Sequence, residues 1–279
     1  MININRLGLG CMGMNLRRNP ERSIATVHAA LDAGITFLNT GNFYQCGESE
    51  MVLGQALKGI PRDSYFLSVK FGVLFEPSGR IYGLDVHPFH IKAQLTYSLH
   101  RLGLEYVDLY QPSRMDSAIP VEDIIGELAD LKQAGYIRNI GMTEIDAETL
   151  RRAHGVQGHG LLNDRTLEGK ASSAMVSPAL SPENLPKNLP LVRALKDFAD
   201  SKGVTLSQLM TVWALTQCPD TMSLVGTTSP EHLQNNIDAL KVELSDADMK
   251  EIEEIAGSHK VYGSDMRSLT FKDGKPFRG

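Results

Sequence analysis

Apolar residues recur along the first half of the chain in two alternating rhythms. Short runs at Arg6 to Gly10 (RLGLG), Thr36 to Thr40 (TFLNT), Tyr65 to Phe71 (YFLSVKF), Tyr106 to Gln111 (YVDLYQ) and Ile137 to Thr143 (IRNIGMT) have the length and composition of buried strands. Between them, apolar positions fall three and four residues apart: Ile24, Val27 and Leu31; then Ile91, Leu95, Leu99 and Leu102; then Ile124, Leu128 and Leu131. Gly34, Gly103 and Gly135 follow helical stretches, where a left-handed cap favours glycine, and Pro120 opens the fourth helix without needing an amide donor. Strand followed by helix, repeated, predicts βα units with parallel strands.

After Glu144 the rhythm changes. Helices are predicted from Asp146, from about Leu191 to Ser201 and from about Leu206 to Thr216, with no strand between them. A sixth strand follows at Ser223 to Gly226 (SLVG), then helices at Pro230 to Leu240 and Asp246 to Ala256, the last opened by an acidic capping box of Ser245 with Asp248. Gly155 to Asn188 and the basic tail from Ser258 to Gly279 read as loop or weakly ordered segments. The expected organisation is one α/β barrel domain over residues 1–257 and a C-terminal tail over 258–279. Six strands fall two short of a (β/α)8 barrel, so the barrel is expected to be incomplete. A doubly wound sheet is the rival architecture. GLGCMG (Gly8 to Gly13) spells its phosphate fingerprint, but it begins inside a strand and the next helix starts only at about Pro20.

Composition narrows the function. With 42% hydrophobic residues and a net charge of -5, the chain is a core-forming acidic protein without the basic run that nucleic acid or an anionic membrane would attract. Three cysteines without a CxxC pair (Cys11, Cys46, Cys218) argue against a disulfide framework and a zinc site, and fit a reducing cytoplasm. Neither a leader-like amino terminus nor a membrane-spanning apolar run is present, and the histidines have no metal-binding spacing.

In a parallel barrel, chemistry belongs to the loops after the carboxyl ends of the strands. Asn39 and Tyr44 follow the second strand, Lys70 ends the third, Ser113, Arg114 and Asp116 follow the fourth, and Thr143 with Glu144 ends the fifth. A lysine ammonium beside a tyrosine stabilises phenolate and makes the phenol a usable acid at neutral pH. Such a tyrosine can protonate a carbonyl oxygen while hydride reaches the carbon. Arg114 and Asp116 fit a structural ion pair at the rim better than reactants.

Six motifs in order, RLGLGCMGM, FLNTGNFYQCGESE, LSVKFG, RLGLEYVDLYQPSRMD, GYIRNIGMTE and LVGTTSPEHLQNNI, resemble the aldo-keto reductase superfamily over nearly the whole chain up to Ala256. The resemblance implies a (β/α)8 barrel, NADPH or NADH bound in extended form without a Rossmann domain, and reduction of small aldehydes and ketones. The family's tetrad of Asp, Tyr, Lys and His falls on Asn39, Tyr44, Lys70 and Ser113. Tyr44 would be the proton donor and Lys70 its electrostatic partner. Asn39 removes the carboxylate that pairs with the lysine, and Ser113 replaces an imidazole with a hydroxyl that donates a hydrogen bond but is no acid near neutral pH. For the cofactor, the resemblance implicates Thr143 and Glu144 at the carboxamide, Gly226, Thr227, Thr228 and Ser229 at phosphate, His232 where an arginine often clamps the 2'-phosphate, and Asn236 at adenine.

One stretch of the pattern has no counterpart. RRAHGVQ runs almost directly into GHGLLND, so the sixth strand, the following helix and the seventh strand are missing, and with them the family's carboxamide-binding glutamine and the aromatic that stacks on nicotinamide. The sequence therefore leaves three readings open. They are an NAD(P)H-dependent reductase, an impaired relative or truncated product with a binding role, and a redox-neutral lyase or isomerase using Tyr44 and Lys70.

Overall fold

The computed structural model describes residues 6–76, 78, 80–116, 118–142, 167, 178–217, 222–263 and 270–277. In chain order the elements are β1 (Leu7–Gly10), α1 (Pro20–Asp32), β2 (Phe37–Gly41), α2 (Glu48–Ala56), β3 (Phe66–Phe71), β4 (Val73–Phe75), β5 (Ile81–Leu84), α3 (Pro88–Leu102), β6 (Val107–Pro112), α4 (Val121–Gln133) and β7 (Ile137–Ile140). They continue with α5 (Leu185–Ser201), α6 (Leu206–Gln217), β8 (Ser223–Gly226), α7 (Pro230–Asp238), α8 (Asp246–Gly257), β9 (Thr270–Lys272) and β10 (Lys275–Phe277). The chain divides into two compact units, one of residues 7–145, 224–233 and 268–279, the other of 1–6, 146–223 and 234–267.

The first unit carries the six expected strands as one sheet in the order β7-β6-β3-β2-β1-β8, and the pairings β1 with β2, β2 with β3, β3 with β6 and β6 with β7 are parallel. This is the sequence-order ladder of a βα barrel whose sixth and seventh members are absent among the described residues. The inner strands β1, β2 and β3 are buried on both faces, as a parallel sheet covered by helices requires: Leu9, Leu38, Leu67 and Val69 on one face and Asn39 and Ser68 on the other are nearly inaccessible, whereas the outer strands β7 and β8 expose Arg138, Asn139 and Leu224. Gly10 allows β1 to approach β8, because a Cβ there would lie 3.3 Å from the Gly226 Cα. Gly34, Gly103 and Gly135 have φ of 87°, 68° and 85°, the left-handed stops their position predicts. β1 ends ten residues before α1 begins, so GLGCMG forms no strand-turn-helix phosphate loop.

Two hairpins of this unit, and the helix α2, escape sequence periodicity. β4 and β5 form an antiparallel hairpin between β3 and α3. The tail read as loop instead contains the β9–β10 hairpin, with Lys272 opposite Lys275 across Asp273 and Gly274, whose φ values are 50° and 71°. Two positive-φ residues between paired strands are the geometry that an Asp-Gly turn favours.

The second unit packs α5, α6 and α8 around Leu191, Leu195, Phe198, Leu206, Leu209 and Ile252. Here α5 begins six residues earlier than periodicity indicated, at Leu185. Pro186 is tolerated in its first turn, and Asn188 donates to the Ala179 and Tyr262 carbonyls while accepting from the Tyr262 amide. The Ser245–Asp248 capping box forms as expected. The helix expected from Asp146 and most of the loop expected from Gly155 lie outside the described residues. No helix of the described residues is long and apolar enough to cross a membrane.

In the first unit, α2 packs on α3 through Gly54, where a Cβ would come 2.6 Å from the Arg101 carbonyl oxygen. Beside it the fully buried Glu50 carboxylate accepts from Arg101 Nε at 2.6 Å. Burial raises the Glu50 carboxyl above the ordinary glutamate value, against the opposing pull of Arg101. The native state therefore holds this proton more tightly than the unfolded chain. Its contribution to stability is complete at acidic pH and is lost as pH rises through the folded-state value. Urea unfolding of Glu50→Gln should accordingly show a smaller fall in stability than the parent chain between about pH 4 and about pH 7.

Candidate active site

Parallel register decides which side chains meet. Asn39 lies opposite Ser68 and Gly41 opposite Lys70 across β2 and β3, while Ser68 and Lys70 lie opposite Leu109 and Gln111 across β3 and β6. Residues two apart on a strand point to the same side. Asn39, Ser68, Lys70 and Gln111 therefore share one face of the sheet.

On that face they form a connected network. Lys70 Nζ donates to Asn39 Oδ1 at 3.0 Å and to the Tyr44 hydroxyl oxygen at 3.4 Å. Asn39 Nδ2 donates to Ser68 Oγ at 2.9 Å, and Gln111 Nε2 donates to the same oxygen at 3.1 Å. Ser68 thus fixes the orientation of the Asn39 amide, with nitrogen toward the serine and oxygen toward the ammonium. Asn39 and Ser68 are buried, and among the described residues Lys70 makes no ion pair, so its cation is met by neutral oxygens alone. Gly141 makes room for Gln111: a Cβ there would lie 2.8 Å from Gln111 Oε1.

Tyr44 reaches the network from the turn after β2. Gly41 admits it, since a Cβ would meet the Phe43 ring at 3.1 Å and the Tyr44 ring at 3.4 Å. Phe43 packs edge-on against Tyr44, with ring centroids 4.8 Å apart, and stacks on Phe75 of β4 at 6.2 Å. Immediately after Tyr44 the backbone enters the left-handed region at two non-glycine residues, Gln45 and Cys46, with φ of 51° and 54°. Gln45 Nε2 donates to the Met12 carbonyl oxygen at 3.3 Å. Cys46 is exposed, whereas Cys11 is buried and its thiol is pushed up to about 12.

Ser113 follows β6, its amide donating to the Phe71 carbonyl at 2.8 Å. Its hydroxyl is buried and has no hydrogen-bond partner among the described residues, so one donor stands ready beside β3. Asp116, also buried, accepts from two backbone amides, Ala118 at 2.9 Å and Gly274 at 2.6 Å.

At the end of β8, Thr227 Oγ1 accepts from the Ser229 amide at 3.1 Å. Arg22 of α1 donates to Ser229 Oγ at 2.9 Å and to Glu231 at 2.8 Å, and Glu231 also accepts from Ser229 Oγ. These contacts, Ser229 first, hold the Glu231 carboxyl down at about 2. Two hydroxyls, a guanidinium and the first turn of α7 are phosphate-binding chemistry, with Arg22 and Ser229 here engaged by the Glu231 carboxylate, which a phosphate-bearing group would have to displace. His232 lies in that turn, and its amide donates to Ser229 Oγ at 3.4 Å. Asn236 belongs to the second unit, and Thr143 and Glu144 lie outside the described residues.

Of the residues singled out in the sequence, Asn39, Tyr44 and Lys70 meet directly and Ser113 joins the adjacent strand end. Ser68, Gln111 and Arg22 were missed. The period-2 count back from Lys70 points to Ser68, but nothing in the sequence indicates Arg22.

Comparisons with known proteins converge. The model of the Aldo/keto reductase family matches residues 6–158 and 153–257. An aldo-keto reductase of Schizosaccharomyces pombe designated for NADP(+) is 31% identical, with 92% of this chain and 90% of the relative covered. A probable aldo-keto reductase of Glycine max is 29% identical, covering 98% of this chain and 93% of its own. That alignment extends over 325 residues, more than the 279 of this chain, so the soybean protein carries residues with no counterpart here. Among solved structures, a glycerol dehydrogenase from Gluconobacter oxydans superposes with a TM-score of 0.75 at 24% identity, covering 92% of this chain and 93% of that one. A Klebsiella pneumoniae aldo/keto reductase in complex with NADP and acetate gives 0.65 at 22%, covering 90% of each. At these identities the structures establish the fold.

The network itself makes a stability prediction. Ser68→Ala removes the acceptor of two amides inside a buried face. It should lower the free energy of urea unfolding by about 1–3 kcal/mol, the cost of leaving buried donors unmet.

Proposed function

Because the chain belongs to the aldo-keto reductase family, we propose that it reduces a small aldehyde or ketone with a nicotinamide cofactor, with Tyr44 as the proton donor. The observation that carries this reading is the Lys70 ammonium, 3.4 Å from the Tyr44 hydroxyl oxygen. Lys70 is the donor in that contact, so the phenolic proton remains directed elsewhere, toward a substrate oxygen. As the proton leaves, the positive charge of Lys70 stabilises the phenolate left behind. Asn39 accepts from the ammonium and holds it in place without neutralising it. Ser113 offers its hydroxyl to the same carbonyl oxygen, polarising it and fixing its direction.

When bound, the reduced nicotinamide supplies the hydride. Thr227, Ser229 and Arg22 are the residues that would hold its phosphates, with His232 and Asn236 further along α7 and Thr143 and Glu144 toward the carboxamide. The S. pombe relative's NADP(+) designation and the NADP held by the Klebsiella structure favour NADPH. NADH remains the alternative, because His232 offers no guanidinium fork to a 2'-phosphate.

A binding role without catalysis is the second reading, favoured by the break in the sheet order between β7 and β8 among the described residues. Titration with NADPH and with NADH, followed by protein fluorescence, separates the two. Saturation is expected, and absence of binding at about 1 mM of either cofactor, the upper end of ordinary KM values, refutes the reductase reading. With binding established, Tyr44→Phe should lower kcat for carbonyl reduction by about 10²- to 10⁴-fold, the range of a general acid, while leaving the cofactor dissociation constant unchanged.

A further inference from the structure

One side chain of α3 holds together three segments of chain around Tyr44 and Lys70. Gln94 Oε1 accepts from the Gly72 amide at 3.0 Å and from Asn42 Nδ2 at 3.0 Å, while Gln94 Nε2 donates to the Asp85 carbonyl at 2.9 Å. Gly72 lies two residues beyond Lys70, and Asn42 lies two residues before Tyr44. The two backbone partners fix which end of the Gln94 amide is oxygen, because an N–H only donates and a carbonyl only accepts. The helix is itself fastened at this end, since Asp85 Oδ1 accepts from the His87 amide at 3.1 Å.

The clasp reaches Tyr44 by two routes. The first is Asn42, whose amide donates to the Lys70 carbonyl at 2.9 Å while its side chain is held by Gln94. The strand end that carries Lys70 and the turn that carries Tyr44 are thereby joined at one residue. The second is the β4–β5 hairpin. The Asp85 amide donates to the Gly72 carbonyl at 2.7 Å, and Gln94 closes the base of the hairpin by bonding the Gly72 amide and the Asp85 carbonyl. The hairpin stacks Phe75 on Phe43, and Phe43 packs on Tyr44. The fit at this base is close: Gly72 has φ of 105°, and a Cβ there would lie 2.8 Å from Val86 Cγ1.

We propose that Gln94 is a positioning residue for proton transfer, its amide clasp setting the separation and aim of the Tyr44 hydroxyl relative to Lys70. Gln94 acts through Asn42 and through the Phe75 wall, and donates no proton itself. An amide suits the task, because it ties three segments together without placing a second charge near the Lys70 cation. The part in catalysis rests on the reductase reading above; the clasp does not.

The test uses the full chain with two substitutions. Gln94→Met keeps the length of the side chain and removes all three contacts, whereas Asn42→Ala removes only the arm toward Tyr44. Amide hydrogen exchange of segment 42–47 should become about tenfold faster in both variants, and that of segment 72–75 in Gln94→Met alone, with segment 107–112 unchanged, the signature of local opening. In both, kcat for carbonyl reduction should fall about tenfold, with KM and the NADPH dissociation constant held within about twofold, as when alignment is lost in the transition state alone. In a Tyr44→Phe background the same substitutions should lower kcat by less than about twofold, since a residue that acts through the phenol has nothing left to aim. Unchanged exchange at 42–47 in either variant overturns the clasp, and acceleration that reaches 107–112 equally marks global destabilisation and overturns it too. Faster local exchange with unchanged kcat overturns the positioning role. A full tenfold loss in the Tyr44→Phe background overturns the route through Tyr44. A parent chain that reduces no carbonyl compound refutes the reductase reading, and the exchange rates then decide the clasp by themselves.

Discussion

A cation held at the end of a buried strand has to be met by oxygen, and at Lys70 that requirement organises the site. The ammonium is served by an amide carbonyl and a phenol oxygen, both neutral, so its charge is directed without being cancelled. Fixing the amide needs Ser68, fixing Ser68 engages Gln111, and room for Gln111 needs Gly141 without a side chain. Three strands in parallel register are sufficient to bring these groups together, because the alternation of side chains puts all of them on one face.

The three strands that carry the network are consecutive in the six-stranded order: β6 adjoins the edge strand β7, and β1 separates β2 from β8. Tyr44, Lys70 and Asn39 lie on or just after β2 and β3, inside the ladder rather than on its edge strands. A chain that lacks counterparts to part of its soybean relative can keep the geometry of Tyr44, Lys70 and Asn39 intact, because none of their described contacts reaches the edges.

Much of this was legible in the sequence for definite reasons. Each of the six sheet strands is a short apolar run bounded by turn residues, and Gly34, Gly103 and Gly135 mark helix ends because only a left-handed stop fits there. The helix Glu48–Ala56 was hidden by the buried Glu50, a charge on the face that periodicity expects to be apolar. The terminal hairpin was hidden by its basic, polar composition, although the Asp273-Gly274 pair was itself the turn signal. At the site, motif order located Tyr44, Lys70 and Asn39. Ser68 and Gln111 went unnoticed because their importance lies in register between strands, which a linear reading does not contain. Arg22 stands some two hundred residues from Ser229, and only the fold brings them together.

The turn after Tyr44 has a consequence of its own. Gln45 and Cys46 occupy left-handed backbone that costs roughly 1–2 kcal/mol per ordinary residue and that glycine would accept freely. A glycine there would relax the chain, yet it would also give the tyrosine's tether more freedom to wander. Retaining side chains at both positions exchanges folding ease for aim: the phenol is carried on a stiff bracket, braced by Gln45 against Met12, and its bearing is set by the main chain as much as by the lysine it faces.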